Sequence, residues 1–261
     1  MRVALGIEYL GTAYCGWQYQ EHCDSVQKNL QSALSFIADE KIEVHCAGRT
    51  DAGVHAIGQV VHFDTKSARL GRAWVQGTNT QLPYDIRVAW AKPVSEDFHA
   101  RFSAKARQYR YVIFNRAVHS AVLSGRVTWE RQCLNEHAMH NAAQALIGEY
   151  DFSSFRASGC QANHAIREVQ SIQVTRHDDF VFVDIQANAF LHHMVRNIVG
   201  TLLEIGRGEK PEEWVKSLLE KQDRTQAGIT APAEGLYFVN ALYPEEFELP
   251  RTPLDAVLWQ E

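Results

Sequence analysis

Twice along this chain a strand-like run gives way to an amphipathic helix and then to further strands joined by short links. Short links make neighbouring strands antiparallel, because a parallel pair needs a crossover of a dozen residues or more. In the first half Val3, Leu5, Ile7 and Tyr9 alternate with Ala4, Gly6 and Glu8, the period of a strand. Gly11 and Gly16 break that pattern around Tyr14, Trp17 and Tyr19. Ser25 is placed to cap a helix carrying Val26, Leu30, Ala33, Leu34 and Ile37 on one face. Strands are expected over 43–46, 59–63 and 86–91. In the second half 109–114 reads as a strand with Tyr109, Tyr111 and Ile113 on one face and Arg110 on the other. Asn135 is placed to cap a helix through Met139, Ala142 and Leu146, stopped by Gly148. Strands over 169–174 and 181–187 meet at the turn His177-Asp178-Asp179. A helix from about Leu191 to Ile205 ends at Gly206, and Pro211 suits the first turn of another carrying Trp214, Val215, Leu218 and Leu219. The pattern predicts an α+β fold of two subdomains laid side by side, one long sheet with helices on one face, and a boundary near residues 100–106.

The 261 residues suffice for one large domain or two of ordinary size. With 46% hydrophobic and 22% charged residues the composition is that of a soluble globular protein. No apolar run has the length of a membrane span, and Glu8 interrupts the only stretch that could resemble a signal peptide. A cytoplasmic protein is expected, with Cys15, Cys23, Cys46, Cys133 and Cys160 as free thiols. The net charge of −5 counts mildly against a nucleic-acid partner, since phosphate binding is largely electrostatic. Local distribution matters more. The run from His99 to Tyr111 holds Arg101, Lys105, Arg107 and Arg110 without one acid, whereas the C-terminal tail sets Glu245, Glu246, Glu248, Asp255 and Glu261 against Arg251.

The segment Gly48-Arg49-Thr50-Asp51-Ala52-Gly53-Val54-His55 sits between two expected strands. Its glycines permit turns that other residues resist and allow a ligand close approach. One reading is a tight turn in which Asp51 bonds its own backbone and Arg49 pairs with a surface acid. The other makes Asp51 a nucleophile, which must be ionised, a form that a neighbouring guanidinium favours. Glycoside hydrolysis would require a second catalytic carboxylate, and the sequence singles out none. On the helix after Leu191, Arg196 lies three and four residues from His193 and His192, so they can share a face, and Gly200 would let another segment come close. Adjacent helical histidines diverge by about 100°, which disfavours a zinc pair at His192-His193. No phosphate-cradling or metal-ligand motif is present.

Cys46-Ala47-Gly48-Arg49-Thr50-Asp51-Ala52-Gly53-Val54-His55-Ala56 closely resembles the catalytic segment of the bacterial tRNA pseudouridine synthase A family. Further blocks are similar in the same order. They include Gly6-Ile7-Glu8-Tyr9 with Gly16-Trp17-Gln18, Phe98-His99-Ala100-Arg101-Phe102-Ser103-Ala104, and Tyr109-Arg110-Tyr111. Gly148-Glu149 with Asp151-Phe152, the run 188–200 around His192-His193-Met194-Val195-Arg196, Asp223-Arg224, Ala231-Pro232-Ala233 and Gly235-Leu236 complete the set. Together they cover nearly the whole chain.

The resemblance implies the pseudouridine synthase fold: two ferredoxin-like subdomains, 1–103 with the Asp loop and 104–261 completing a central catalytic cleft and the dimer interface, across a continuous, mainly antiparallel sheet. It implies conversion of uridine to pseudouridine at positions 38, 39 and 40 of the tRNA anticodon stem-loop, by a homodimer, without cofactor, metal or membrane. Asp51 then corresponds to the nucleophile, Arg196 to its basic partner and Tyr109 to the aromatic platform under the target uracil. Arg49 matches an arginine that displaces the target nucleotide, and Leu236 lies in the apolar wall near the base. His55, Arg101, Lys105, Arg107, Arg110 and His193 are the remaining candidates for RNA contact. Two departures, Ala165 where a proline precedes the arginine and Tyr19 where a basic residue is common, lie outside the catalytic block. Rival readings are an RNA-binding protein without turnover and a metal-dependent nuclease or deaminase.

Overall fold

The computed structural model describes residues 1–251, so Asp255 and Glu261 of the acidic tail lie outside the described residues. The chain divides into two compact units, one formed by Met1–Arg107 together with Tyr237 onward, the other by Gln108–Leu236.

The first unit holds the strands β1 (Arg2–Tyr9), β2 (His45–Cys46), β3 (His55–Asp64) and β4 (Ile86–Val94) and one long helix, α1 (Val26–Ala38). β1 lies between β3 and β4 and is antiparallel to both. This central place explains why β1 is buried on both faces rather than on alternate residues as its sequence suggests. Small residues make that possible: a Cβ on Gly6 would stand 2.0 Å from the Trp90 indole. Ser25 caps α1 as expected, its hydroxyl accepting from the Lys28 N–H at 3.3 Å. A π-helical turn, Ala73–Gly77, and a short helix α2 (Thr78–Gln81) have no counterpart in the expected elements. They bury Trp74, whose ring meets Phe63 edge-on at 5.1 Å.

The second unit holds β5 (Ala106–Asn115), β6 (Thr128–Glu130), α3 (Glu136–Gln144), β7 (Gly148–Asp151), β8 (Ile166–His177), β9 (Phe180–Ala187), α4 (Met194–Gly206) and α5 (Trp214–Lys221). Its strands run in the order β5-β9-β8-β7, with β6 on β5. The β8–β9 hairpin turns at Asp178, which adopts a positive φ of 48°. Asn135 caps α3 through the Ala138 N–H, and Gly148, at φ 123°, begins β7. The last strand, β10 (Leu236–Leu242), passes back to the first unit and pairs parallel to β3, with Tyr237 opposite His55. Mainly antiparallel pairing within an α+β unit is thus the rule in both parts, with β3–β10 in the first and β5–β6 in the second as parallel exceptions.

His62 on β3 is 2% exposed and accepts the Ala100 N–H at its Nδ1 (3.1 Å). Burial, then the neighbouring His99 and Arg2, hold its pKa down to about 3 from the ordinary 6.5. The unfolded chain therefore takes up this proton at a pH where the folded chain does not. The stabilisation is complete above about pH 6.5 and is lost as pH falls toward 3. Urea unfolding from pH 7 to 4 should show a shallower loss of stability for His62→Gln than for wild type; parallel curves would contradict the assignment.

Candidate active site

The Asp51 loop joins β2 to β3, and its backbone is fixed from several sides of the first unit. The Ala47 N–H donates to Val60 O (2.8 Å). Gln59, fully buried on β3, brackets Gly48 by accepting its N–H (3.4 Å) and donating to its carbonyl (2.6 Å). The Thr50 carbonyl accepts the Trp17 N–H at 3.0 Å, and its hydroxyl meets the Tyr9 hydroxyl at 2.8 Å. Burial above all pushes the Tyr9 phenol far up, so that hydroxyl stays protonated and available to Thr50. Gly53, at φ 79°, closes the turn that the Val54 N–H makes to Asp51 O (3.1 Å).

The strap over this turn is Gly11–Trp17, the segment where the sequence pattern of β1 breaks. A Cβ on Gly11 would sit 2.0 Å from Val54 O, and one on Gly16, at φ 96°, 2.7 Å from Thr50 O. Only glycine permits these approaches. The result leaves Arg49 exposed, Thr50 buried and Asp51 half-exposed. His55 is fully buried: its Nδ1 accepts the Gly11 N–H (2.9 Å) and its ring packs 4.7 Å from that of Tyr237. Those contacts make it an anchor for the end of the loop.

The basic run divides in two by what its side chains touch. Arg107 donates to three backbone carbonyls, those of Ala47, Ala104 and Arg101. Arg110 makes a two-point ion pair with Asp184, at 2.7 and 2.9 Å, and lies over the Phe182 ring. Arg101 and Lys105 are exposed. Sequence alone hides this division, because the acid that engages Arg110 arrives 74 residues later.

In the second unit Tyr109 is buried, with the Phe190 ring edge-on at 4.9 Å. Arg196, on the first turn of α4, is half-buried and donates from Nε to Ala231 O (2.8 Å), while the Ala231 N–H returns a bond to Arg196 O (3.1 Å). The close approach expected at Gly200 is present: a Cβ there would lie 1.7 Å from Ile229 O. Asn197, fully buried, ties the same segment down, accepting from Thr230 (2.6 Å) and Arg224 (3.1 Å) and donating to Phe155 O (2.8 Å). Next along the chain, Tyr111 donates to Pro232 O (2.8 Å), and Gly235 packs so tightly on Tyr111 and Thr128 that a Cβ would lie 2.6–2.7 Å away. This turn delivers Leu236, which is buried.

His192 and His193 depart from expectation. α4 begins at Met194, not near Leu191, and His193 is its N-cap in the left-handed region at φ 59°. The two rings therefore stand 4.0 Å apart instead of diverging around a helix, so the 100° argument does not apply to them. The His192 backbone is held by the Ala157 N–H and by Cys160 Sγ.

A family model described as tRNA pseudouridine synthase matches residues 6–103 and 142–244, and the chain belongs to that family, as its motifs led one to expect. Among its relatives, tRNA pseudouridine synthase A of Hydrogenovibrio crunogenus is 72% identical over 258 residues, covering 99% of this chain and 98% of that protein. The proteins of the same name from Glaesserella parasuis and Vibrio campbellii are 58% and 57% identical, covering 99% and 97% of this chain and 99% and 96% of theirs. With the family comes the pseudouridine synthase fold.

Because the 229–231 segment rests on Gly200, Gly200→Ala should lower stability by about 1–3 kcal/mol and disturb the Arg196–Ala231 contact. Gly71→Ala, whose Cβ would stand 3.6 Å from its nearest neighbour, is the control that should unfold like wild type. Equal denaturation midpoints for both variants would contradict the close packing.

Proposed function

We propose that this protein isomerises uridine to pseudouridine in tRNA, at positions 38, 39 and 40 of the anticodon stem-loop, with Asp51 as nucleophile. The observation that carries the reading is the Arg49-Thr50-Asp51 turn, clamped on its backbone yet leaving the Asp51 side chain half-exposed, in a chain of this family. The reaction breaks the N1–C1′ bond, turns the uracil and rejoins it through C5. The bonding pair leaves with uracil N1 as the carboxylate engages the sugar. C5 then supplies the pair that forms the new bond to C1′, the carboxylate departs, C5 loses its proton and N1 gains one. No atom or electron is lost overall, so the chemistry asks for no cofactor or metal.

A base within a folded RNA must first leave its stack. In this reading Arg49 fills the space left by the displaced nucleotide, Tyr109 and Leu236 hold the uracil between an aromatic and an apolar surface, and Arg196 pairs with the Asp51 carboxylate. Its Nε bond to Ala231 O supports that role by fixing the plane of the guanidinium. Arg101 and Lys105, both exposed, supply phosphate contacts, and His193 lies beside the Arg196 helix turn. Arg107, Arg110 and His55 act in the same reading by holding backbone and strand in place. The protein works in the cytoplasm as a homodimer, so that a net-acidic chain can present a basic groove formed by two copies. No helix among the described residues is long and apolar enough to cross a membrane.

The test is purified protein with unmodified tRNA transcript, mapped for pseudouridine. Wild type should modify the anticodon stem-loop equally with and without chelator, and Asp51→Ala should bind the transcript but form no product. Binding without product by wild type would replace this reading with that of an RNA-binding protein, and a monomer mass by light scattering would remove the dimer.

A further inference from the structure

At residues 99–103 of the first unit the chain makes a tight turn anchored by buried Ala100, whose N–H donates to His62 and whose carbonyl accepts the Tyr243 hydroxyl (2.6 Å). Phe102 at its tip is 76% exposed. A phenylalanine in that position leaves most of its apolar surface in water.

The turn beneath it is rigid. His99 Nδ1 accepts the N–H groups of Arg101 (3.1 Å) and Phe102 (3.2 Å). The Ser103 hydroxyl accepts the His99 N–H, and the Ser103 N–H returns to His99 O, both at 2.9 Å. The Phe102 ring lies against the His99 imidazole, with centroids 4.3 Å apart and planes 32° from parallel. His99 in turn meets His62 at 4.6 Å and His45 at 5.5 Å. Burial, then His45, Arg2 and Arg101, lower the His99 pKa, which favours the neutral imidazole beneath the Phe102 ring. The Arg101 guanidinium lies over the Phe102 ring, 5.5 Å from its centroid, and Lys105 follows two residues after the turn, both exposed. Arg107 ties the turn to the Asp51 loop by donating to Arg101 O and to Ala47 O, the residue that opens that loop.

A largely exposed aromatic ring on a fixed support, with cations beside and over it and no acid from His99 to Tyr111, matches a nucleobase with its phosphate. We propose that Phe102 is a stacking platform for an unpaired nucleotide of the substrate RNA, with Arg101 holding that nucleotide's phosphate, outside the pocket of the reacting uridine. The platform positions the RNA on the unit that carries Asp51. This rests on the reading of RNA as substrate.

The test measures affinity for an unmodified tRNA transcript, turnover at saturating RNA, thermal midpoint and association state. Phe102→Ala should weaken binding about tenfold, while leaving turnover at saturation within about twofold and the thermal midpoint unchanged. Phe102→Trp should restore affinity. Phe102→Leu, which still packs on His99 but lacks a π-face, should bind as poorly as Phe102→Ala and carries the test should that variant fold badly. Arg101→Ala should reduce the slope of log affinity against log salt by about one, a slope Phe102→Ala leaves unchanged. Wild-type affinity in both Phe102→Ala and Phe102→Leu would overturn the platform, as would a change of association state, which would make Phe102 a protein contact. Wild type that binds the transcript without forming pseudouridine would sink the proposed reaction while the binding series still decides on Phe102. Wild type that binds no RNA would sink both.

Discussion

The first unit depends on the capture of Thr50. Its carbonyl takes the Trp17 N–H and its hydroxyl the buried Tyr9 hydroxyl, so the residue before Asp51 cannot rotate without breaking two hydrogen bonds inside the protein. Gln59 and Arg107 fix the residues where the loop begins, and two glycines let the Gly11–Trp17 strap lie on its backbone. A carboxylate on such a loop has little orientational freedom to lose when a substrate arrives, which is where a positioned nucleophile gains much of its rate.

The second unit uses the same economy of backbone bonds around Arg196. α4 supplies the arginine, Gly200 on the same helix admits the 229–231 segment, and Asn197 grips that segment through Thr230 and Arg224. Asp223-Arg224 and Ala231-Pro232, which in the sequence look like isolated matches, acquire a common purpose here. Arg224 braces the segment whose Ala231 carbonyl orients Arg196, and Tyr111 holds Pro232 and so the approach to Leu236.

Local signals carried through where a single element decides the outcome. The strand at β1 and the Ser25 and Asn135 caps are consequences of residues near one another in the chain, and the small size of Gly200 signalled a close approach without saying that Ile229 makes it. What escaped the sequence is long-range or irregular. β10 is a buried apolar run, Leu236–Leu242, whose period fits strand or helix equally, and its parallel pairing with β3 joins residues far apart in sequence. The π-turn around Trp74 has no propensity signature, and the left-handed His193 starts α4 later than its apolar pattern suggests. For the site, the Arg49–Asp51 turn was legible, but the sorting of the basic run was not. Arg107 spends its donors on carbonyls and Arg110 on a distant acid, so a count of positive charges overstates what reaches solvent.

The proposed chemistry depends on where the Asp51 carboxylate stands, and not merely on its charge. Pseudouridine formation expels the hydrogen on C5, so release of tritium from tRNA carrying 5-tritiated uridine, followed in a single turnover, reads the reaction directly. Asp51→Glu keeps the charge and moves it outward by one methylene from a turn that cannot adjust. It should release tritium at least about a hundredfold more slowly than wild type. Release at the wild-type rate would show that the clamped turn does not set the reacting geometry.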